Sequence, residues 1–180
     1  PHSGNARGPQ EIDGFADEAS EDFVSFHRTL AESGVADRVR HVRAPSDAAH
    51  SHVDGSIEVL YVDGAHRYAP ARADVRDWGR RVVPSGTLLV HDSFSSVGVT
   101  MALVRELFFS NRFRYVGRSR SLAEYRADLA PGWRARSANV LRQIAQLPWF
   151  VRNMTIKVLI VLRMAPLLRA MTGRTPEWPY

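Results

Sequence analysis

Apolar residues fall into short runs and helical stripes along this chain, with polar punctuation between them. Ile57 to Val62 is an apolar, β-branched run that ends on Asp63, and Gly86 to Val90 is a second that ends on His91-Asp92. Runs of this length and composition predict buried strands covered on both faces. Ala69 to Val83 lies between them with helical spacing, places Val75, Trp78 and Val82 inward, and ends at Pro84-Ser85-Gly86. Strand, helix, strand predicts a βαβ crossover and so a parallel pair. Upstream, Ser20 to Ser33 predicts a helix with Phe23, Phe26 and Leu30 on one face and Gly34 as its stop. Arg38 to Arg43 alternates like a short strand, and Pro45 to His52 reads as a turn. Downstream, Val97 to Phe109 predicts a helix with Met101, Val104 and Leu107-Phe108 on its apolar face. Phe113 to Val116 and Ser121 to Tyr125 flank Gly117-Arg118-Ser119-Arg120 as a hairpin. Pro131-Gly132 marks a boundary, beyond which helical segments are interrupted at Pro148 and Pro166. The pattern predicts an α/β domain over residues 1–129 and a helical extension over 130–180.

Ligands of open parallel sheets bind outside the carboxyl ends of the strands. Asp63, His66, His91 and Asp92 are therefore expected on one rim. Two carboxylates at adjacent strand ends suit a hard divalent cation such as Mg²⁺, which takes oxygen ligands and keeps several waters. Such an ion lowers the pKa of a bound hydroxyl. His66, three residues past Asp63, suits a general base near neutral pH. Plainer readings stay open: a strand-end aspartate is often a cap or turn former, and His66 reads equally as a surface loop residue.

Composition narrows the classes. The 180 residues suit one domain with a core, and 44% hydrophobic content is ordinary for a globular chain. There is no cysteine, which excludes disulfides and thiolate metal sites. The net charge of +5 is unevenly placed. Residues 1–129 hold 16 Arg and 18 acids, a balance of −2, whereas residues 130–180 hold seven Arg and one Lys against one acid, a balance of +7. A basic tail reads either as a solvated helix face or as a contact for an anionic partner. Met154 to Leu168 is the most apolar stretch, and Lys157, Arg163 and Pro166 leave it short of the roughly 18–20 clean residues of a spanning helix. Residues 148–172 are therefore expected to dock, to form an oligomer contact, or to touch a membrane surface. No nucleic-acid partner is expected, and the expected location is cytoplasmic, with membrane association as the variant.

Val62-Asp63-Gly64-Ala65-His66-Arg67-Tyr68, then Asp74 and Trp78, then Val83-Pro84-Ser85-Gly86-Thr87, then His91-Asp92, resembles the second half of class I S-adenosylmethionine-dependent methyltransferases. The pattern is most similar to the group that includes macrolide-sugar O-methyltransferases. The resemblance spans about residues 1–126 and is specific over 57–98. It implies a Rossmann-like, doubly wound, mostly parallel sheet with an antiparallel edge hairpin. It also implies transfer of a methyl group from S-adenosylmethionine to a hydroxyl of a small molecule or sugar. It assigns His66 as the base, Ser46 and Asp63 to the cofactor, and Asp63, Asp92 and Ser93 to a metal ion, Mg²⁺. Ala65 stands where the family commonly has an acid, Ser85 where it has the first glycine of the turn, and Ser93 where it often has Asn or Asp. The family's acidic-x-Gly-x-x-x-Gly cofactor loop has no counterpart. Pro1-His2 matches the pair that in relatives follows the ribose-binding acid, so the chain is expected to start just past that acid, with the first βαβ unit missing. The alternative function is a non-catalytic binding or assembly module.

Overall fold

The computed structural model describes residues 15–164, 169, 170 and 173, with side chains from residue 22 onward. Pro1-His2, the Gly4–Gly14 segment and Pro166 lie outside these. The chain divides into two compact units, Pro1–Asp54 and Gly55–Tyr180.

In the first unit, helix α1 spans Phe15–Glu32, longer at its start than the periodicity predicts. It ends as expected at Gly34, which takes φ +65. The Gly34 amide donates to the Ala31 carbonyl and the Val35 amide to that of Leu30, a Schellman cap that satisfies two orphan carbonyls. Phe23 and Phe26 pack beside His27 and His41, with ring centroids 4.5–5.4 Å apart. Residues 39–43 form no strand: Val39 has extended dihedrals, but the segment has no ladder partner among the described residues. A short 3₁₀ helix, Ala48–His52, follows, with Asp47 accepting from the Ala48 amide.

In the second unit, β1 (Ile57–Val62) leads into α2 (Tyr68–Ala73), which continues as a π-helical turn, Asp74–Trp78. Strand β2 (Val82–Val90) leads into α3 (Val97–Leu103), which continues as a second π turn, Val104–Phe108. Strands β3 (Arg114–Ser119) and β4 (Leu122–Arg126) form the hairpin, and α4 (Trp133–Ile144) and α5 (Leu147–Val161) close the unit.

The sheet order is β1-β2-β4-β3. β1 and β2 are parallel, as the crossover requires, while the β2–β4 and β3–β4 pairings are antiparallel. The expected mostly parallel sheet is thus corrected to a mixed one among the described residues. The reason is local: residues 39–43 add no strand, so the crossover supplies one parallel pair and the hairpin supplies the rest. With its helices, the mixed sheet makes an α/β fold. Pro84-Ser85-Gly86 is not a turn before β2 but a bulge within it, where Ile57 pairs with Val82 and Val59 with Thr87. Gly86 is required there, because a Cβ would lie 2.9 Å from the Val83 carbonyl oxygen and 3.0 Å from that of Glu58.

One sheet face is buried. Leu88, Val90, Ala123, Tyr125 and Tyr115 form a single core with Ala71 and Val75 of α2 and with Val99, Ala102 and Leu103 of α3. The expectation of strands covered on both faces fails at β1, where Val59 and Tyr61 are 62% and 52% exposed. The phase of α3 is also corrected: Val99, Ala102 and Leu103 point inward, and Met101 and Val104 outward.

The extension clusters in the same compact unit as the sheet, Gly55–Tyr180. Trp149 and Phe150 pack on the core, and polar side chains add to the attachment. Asn139 of α4 accepts from the Tyr115 amide at 2.7 Å and donates to the Phe113 carbonyl at 3.1 Å, the two bonds a neighbouring strand would make with β3. Gln143, fully buried, accepts from the Tyr125 hydroxyl. The Arg118 guanidinium lies 4.1 Å over the Trp149 ring and bonds Gln146, tying the hairpin to α5. Trp133–Val161 contains a window long and apolar enough to cross a membrane by length and composition, and only 6% of it is buried. The stretch expected to fall short of a span, Met154 to Leu168, overlaps this helix only over 154–161, and residues 165–168 lie outside the described ones.

Candidate active site

β1 and β2 end side by side, with Val62 opposite Val90, and the His91 amide extends the ladder by donating to the Val62 carbonyl at 2.9 Å. The next residues of each chain segment therefore emerge together at the carboxyl end of the sheet. There the structure brings together Asp63, His66, His91 and Asp92. His66 Nε2 lies 2.9 Å from Asp92 Oδ2, with side-chain exposures of 56% and 7%. His91 Nδ1 stands between the carboxylates, 3.3 Å from Asp63 Oδ1 and 3.7 Å from Asp92 Oδ1. The Tyr61 hydroxyl donates to Asp63 Oδ2 at 3.1 Å.

The electrostatics follow from these contacts. The bond to Asp92 raises the His66 pKa above the usual histidine range, against an opposing effect of burial. The same bond holds Asp92 below the usual carboxylate range, although burial pushes the other way. Burial and the neighbouring Asp63 carboxylate raise the Tyr61 phenol. Asp92 Oδ1 is buried and accepts no hydrogen bond. A cleft of about 10 Å³, room for roughly one water, is walled by Val62, Ala71, Val75, Val90 and Val99 beside His66 and His91.

Both loops are fastened by their backbones. Asp92 and Phe94 take left-handed conformations, φ 53 and 56, which L side chains adopt at a cost. The Ser95 and Ser96 amides donate to the Asp92 carbonyl at 3.1 and 3.0 Å, and the Ser93 amide to the Ser121 carbonyl at 2.8 Å. The Ser96 hydroxyl donates to the His66 carbonyl at 3.2 Å, linking the two loops. Gly98 lets α3 approach them: a Cβ there would lie 2.2 Å from the His66 carbonyl oxygen and 2.7 Å from the Tyr68 amide nitrogen. From α5, Asn153 donates to the Phe94 carbonyl at 3.2 Å and Lys157 to the Ser95 carbonyl at 2.7 Å. Sequence reasoning gave Gly98, Asn153 and Lys157 no part in the site, although one signal was visible: Asn153 and Lys157, one turn apart, are polar positions in a mostly apolar helix.

Of the three residues expected to hold a metal ion, Asp63 and Asp92 meet at the rim beside His91. The Ser93 hydroxyl is fully buried and donates to the Val90 carbonyl at 2.8 Å, closing the turn. Among the described residues no group of three or more His, Asp or Glu side chains is arranged to hold a metal ion. Asp92 Oδ2 is engaged by His66, whereas Asp92 Oδ1 and His91 Nδ1 make no hydrogen bond, so the oxygen ligands within reach of a hard cation here are the two carboxylates. The expected cofactor contacts fall in different units. Ser46 is exposed in the turn before the 3₁₀ helix of the first unit. Asp63 stands at the end of β1 in the second with its side chain 43% exposed, and a half-exposed carboxylate fits a cationic donor by charge.

Residues 8–93 match a family model described as a methyltransferase domain. The match runs through α1, β1, α2 and β2 and stops one residue past Asp92, so it takes in His66 and both strand-end aspartates. It begins well ahead of the segment in which the sequence motifs are specific. No curated protein matches the chain. The family match covers just under half of the 180 residues, and it supports a methyltransferase domain with transferase activity in general.

Proposed function

We propose that the chain acts as a methyltransferase that uses S-adenosylmethionine to methylate a hydroxyl of a small molecule or sugar, with a histidine–aspartate pair in place of a metal ion. The observation that carries this reading is the 2.9 Å contact between His66 and Asp92 inside a methyltransferase-domain match. With its Nε2–H on Asp92, neutral His66 keeps Nδ1 to take the acceptor's proton as the oxygen–carbon bond forms and the carbon–sulfur bond breaks. Asp92 stays ionised and stabilises the imidazolium that results. The cofactor supplies an electrophilic methyl on a sulfonium, and the Asp63 carboxylate offsets that positive charge. Alignment of the oxygen with the methyl group provides much of the acceleration.

The test is release of S-adenosylhomocysteine with a panel of hydroxylated acceptors, in wild type and His66→Ala, with and without chelator. A His66→Ala protein as fast as wild type, or loss of turnover on chelation, would sink the reading. A second reading, a non-catalytic assembly module, is favoured by the lack of the family's cofactor glycine pattern in the 180 residues. Calorimetric titration with S-adenosylmethionine separates the two, since a module of that kind gives no binding heat.

The extension supports a further contact, with an anionic lipid surface. Val151, Val158, Val161 and Leu162 of α5 and the turn after it are 55–70% exposed, and residues 130–180 carry the +7 balance. A second copy would bring two extensions of like net charge together. Co-sedimentation with anionic but not neutral vesicles, lost in Val158→Glu, is the expected result. A concentration-dependent dimer without vesicle binding would replace the lipid partner with a second copy.

A further inference from the structure

The loop His91–Ser96 bends through two left-handed residues that are not glycine, Asp92 and Phe94. Such a conformation persists only where its surroundings over-determine it. Part of that surrounding comes from α5, about 60 residues further along. Asn153 has no exposed surface and sits in a helix whose other inward neighbours, Trp149 and Phe150, pack on the apolar core. Burying an amide costs free energy unless it is bonded, so an apolar residue would serve packing better. Its Nδ2 donates instead to the carbonyl of Phe94, one of the two strained residues. One turn on, Lys157 directs its ammonium inward, and its 2.7 Å bond to the Ser95 carbonyl is charge-assisted. Burial pushes the lysine pKa down, and Asp92 is near enough to oppose that. The two side chains thus hold consecutive carbonyls, two and three residues past the aspartate that binds His66.

We propose that α5 is part of the catalytic apparatus, with Asn153 and Lys157 as positioning residues that set the His91–Ser96 loop so that Asp92 meets His66. The proposal rests on the reading of His66 and Asp92 as the proton-transfer pair. It assigns function to a segment outside the methyltransferase-domain match, which ends at Ser93.

Lys157→Met and Asn153→Ala in the full chain test it, with Lys157→Arg as the conservative control. Two readouts are taken. Amide exchange at Ser95 and Ser96, both bonded to the Asp92 carbonyl, reads the loop without any need for turnover. Steady-state methyl transfer reads the consequence. The expected result is exchange about tenfold faster at these amides, with Leu88 to Val90 unchanged. It comes with a kcat loss of about tenfold or more at unchanged KM, as for a small misplacement of a reacting group. Lys157→Arg should restore most of both. Unchanged exchange in Lys157→Met overturns the proposal whatever the activity, and so does faster exchange with full kcat. Because Asn153 is buried and its variant is at risk of not folding, Lys157→Met decides. If wild type transfers no methyl group, the proposed function fails separately, while the exchange data still decide whether α5 sets the loop.

Discussion

Asp63 and Asp92 follow neighbouring parallel strands, yet their surroundings differ. Asp63 ends an edge strand, is 43% exposed, and has a tyrosine hydroxyl on one oxygen and an imidazole near the other. Asp92 ends a strand paired on both sides, is 7% exposed, and sits in a loop fastened by serine amides, the Ser121 carbonyl and α5. A charge enclosed in this way interacts more strongly with its neighbour than one at the solvent edge. In the proposed mechanism the difference suits Asp92 to the proton-handling pair and Asp63 to matching charge.

The comparison breaks most directly at Asp92. Asp92→Asn keeps a residue that tolerates the left-handed conformation and removes the carboxylate charge, so activity should fall by about 100-fold or more. Asp63→Asn should cost less than about tenfold, because its charge is partly screened by solvent. Equal losses in the two variants, read as kcat/KM for methyl transfer, would erase the distinction.

Next in size is Gly98→Ala. The added methyl meets backbone rather than a movable side chain, so the His66 loop must shift. Stability should drop by about 1–3 kcal/mol by urea denaturation, with at least about a tenfold loss of activity.

The pH dependence sharpens the contrast. His66 must be neutral to accept a proton, so kcat/KM should rise through a pKa above about 6.5, and Asp92→Asn should bring that limb down toward about 6.5. Stability has the opposite sign. The raised His66 pKa contributes stability that is present below the unfolded-state value and lost as pH rises through the folded one. The lowered Asp92 pKa contributes stability that is present above the unfolded-state value and lost as pH falls through the folded one. The stability gap between wild type and Asp92→Asn should therefore be widest between these windows and narrow on either side. A gap independent of pH from 3 to 9 would contradict the pairing.

The smallest effect is expected at Ser85, which takes φ 62 where the resembled family has glycine. Ser85→Gly should be neutral or stabilising by up to about 1 kcal/mol in thermal unfolding, since it relieves a left-handed serine at some cost in unfolded-chain entropy.

The βαβ unit and the grouping of Asp63, His66 and Asp92 were legible because apolar runs that stop at acids encode both the strands and their ends. His91 was expected on the same rim, but its place between the two carboxylates depends on how the loop turns after the last ladder bond, which strand alternation does not carry. Ser93 was read as a ligand by position, but a serine three residues past a strand carbonyl also closes a turn, and it does so here. The outward faces of Met101, Val104, Val59 and Tyr61 follow from which partner each element meets, and local periodicity contains no such information. The contribution of α5 was hidden for the same reason, since Asn153 and Lys157, one turn apart in a mostly apolar helix, reveal that something polar faces them, not what it is.

The bonds from α5 to the Asp92 loop span 59 and 62 positions in sequence. A nascent chain thus exposes β1, β2 and both aspartates well before the residues that fasten them have been synthesised. Contacts of that separation form late, after the local hairpin and helices. The order of synthesis therefore keeps the His91–Ser96 loop unfinished until the extension has left the ribosome, and an early-terminated product would keep the sheet's residues yet lack the bonds from α5.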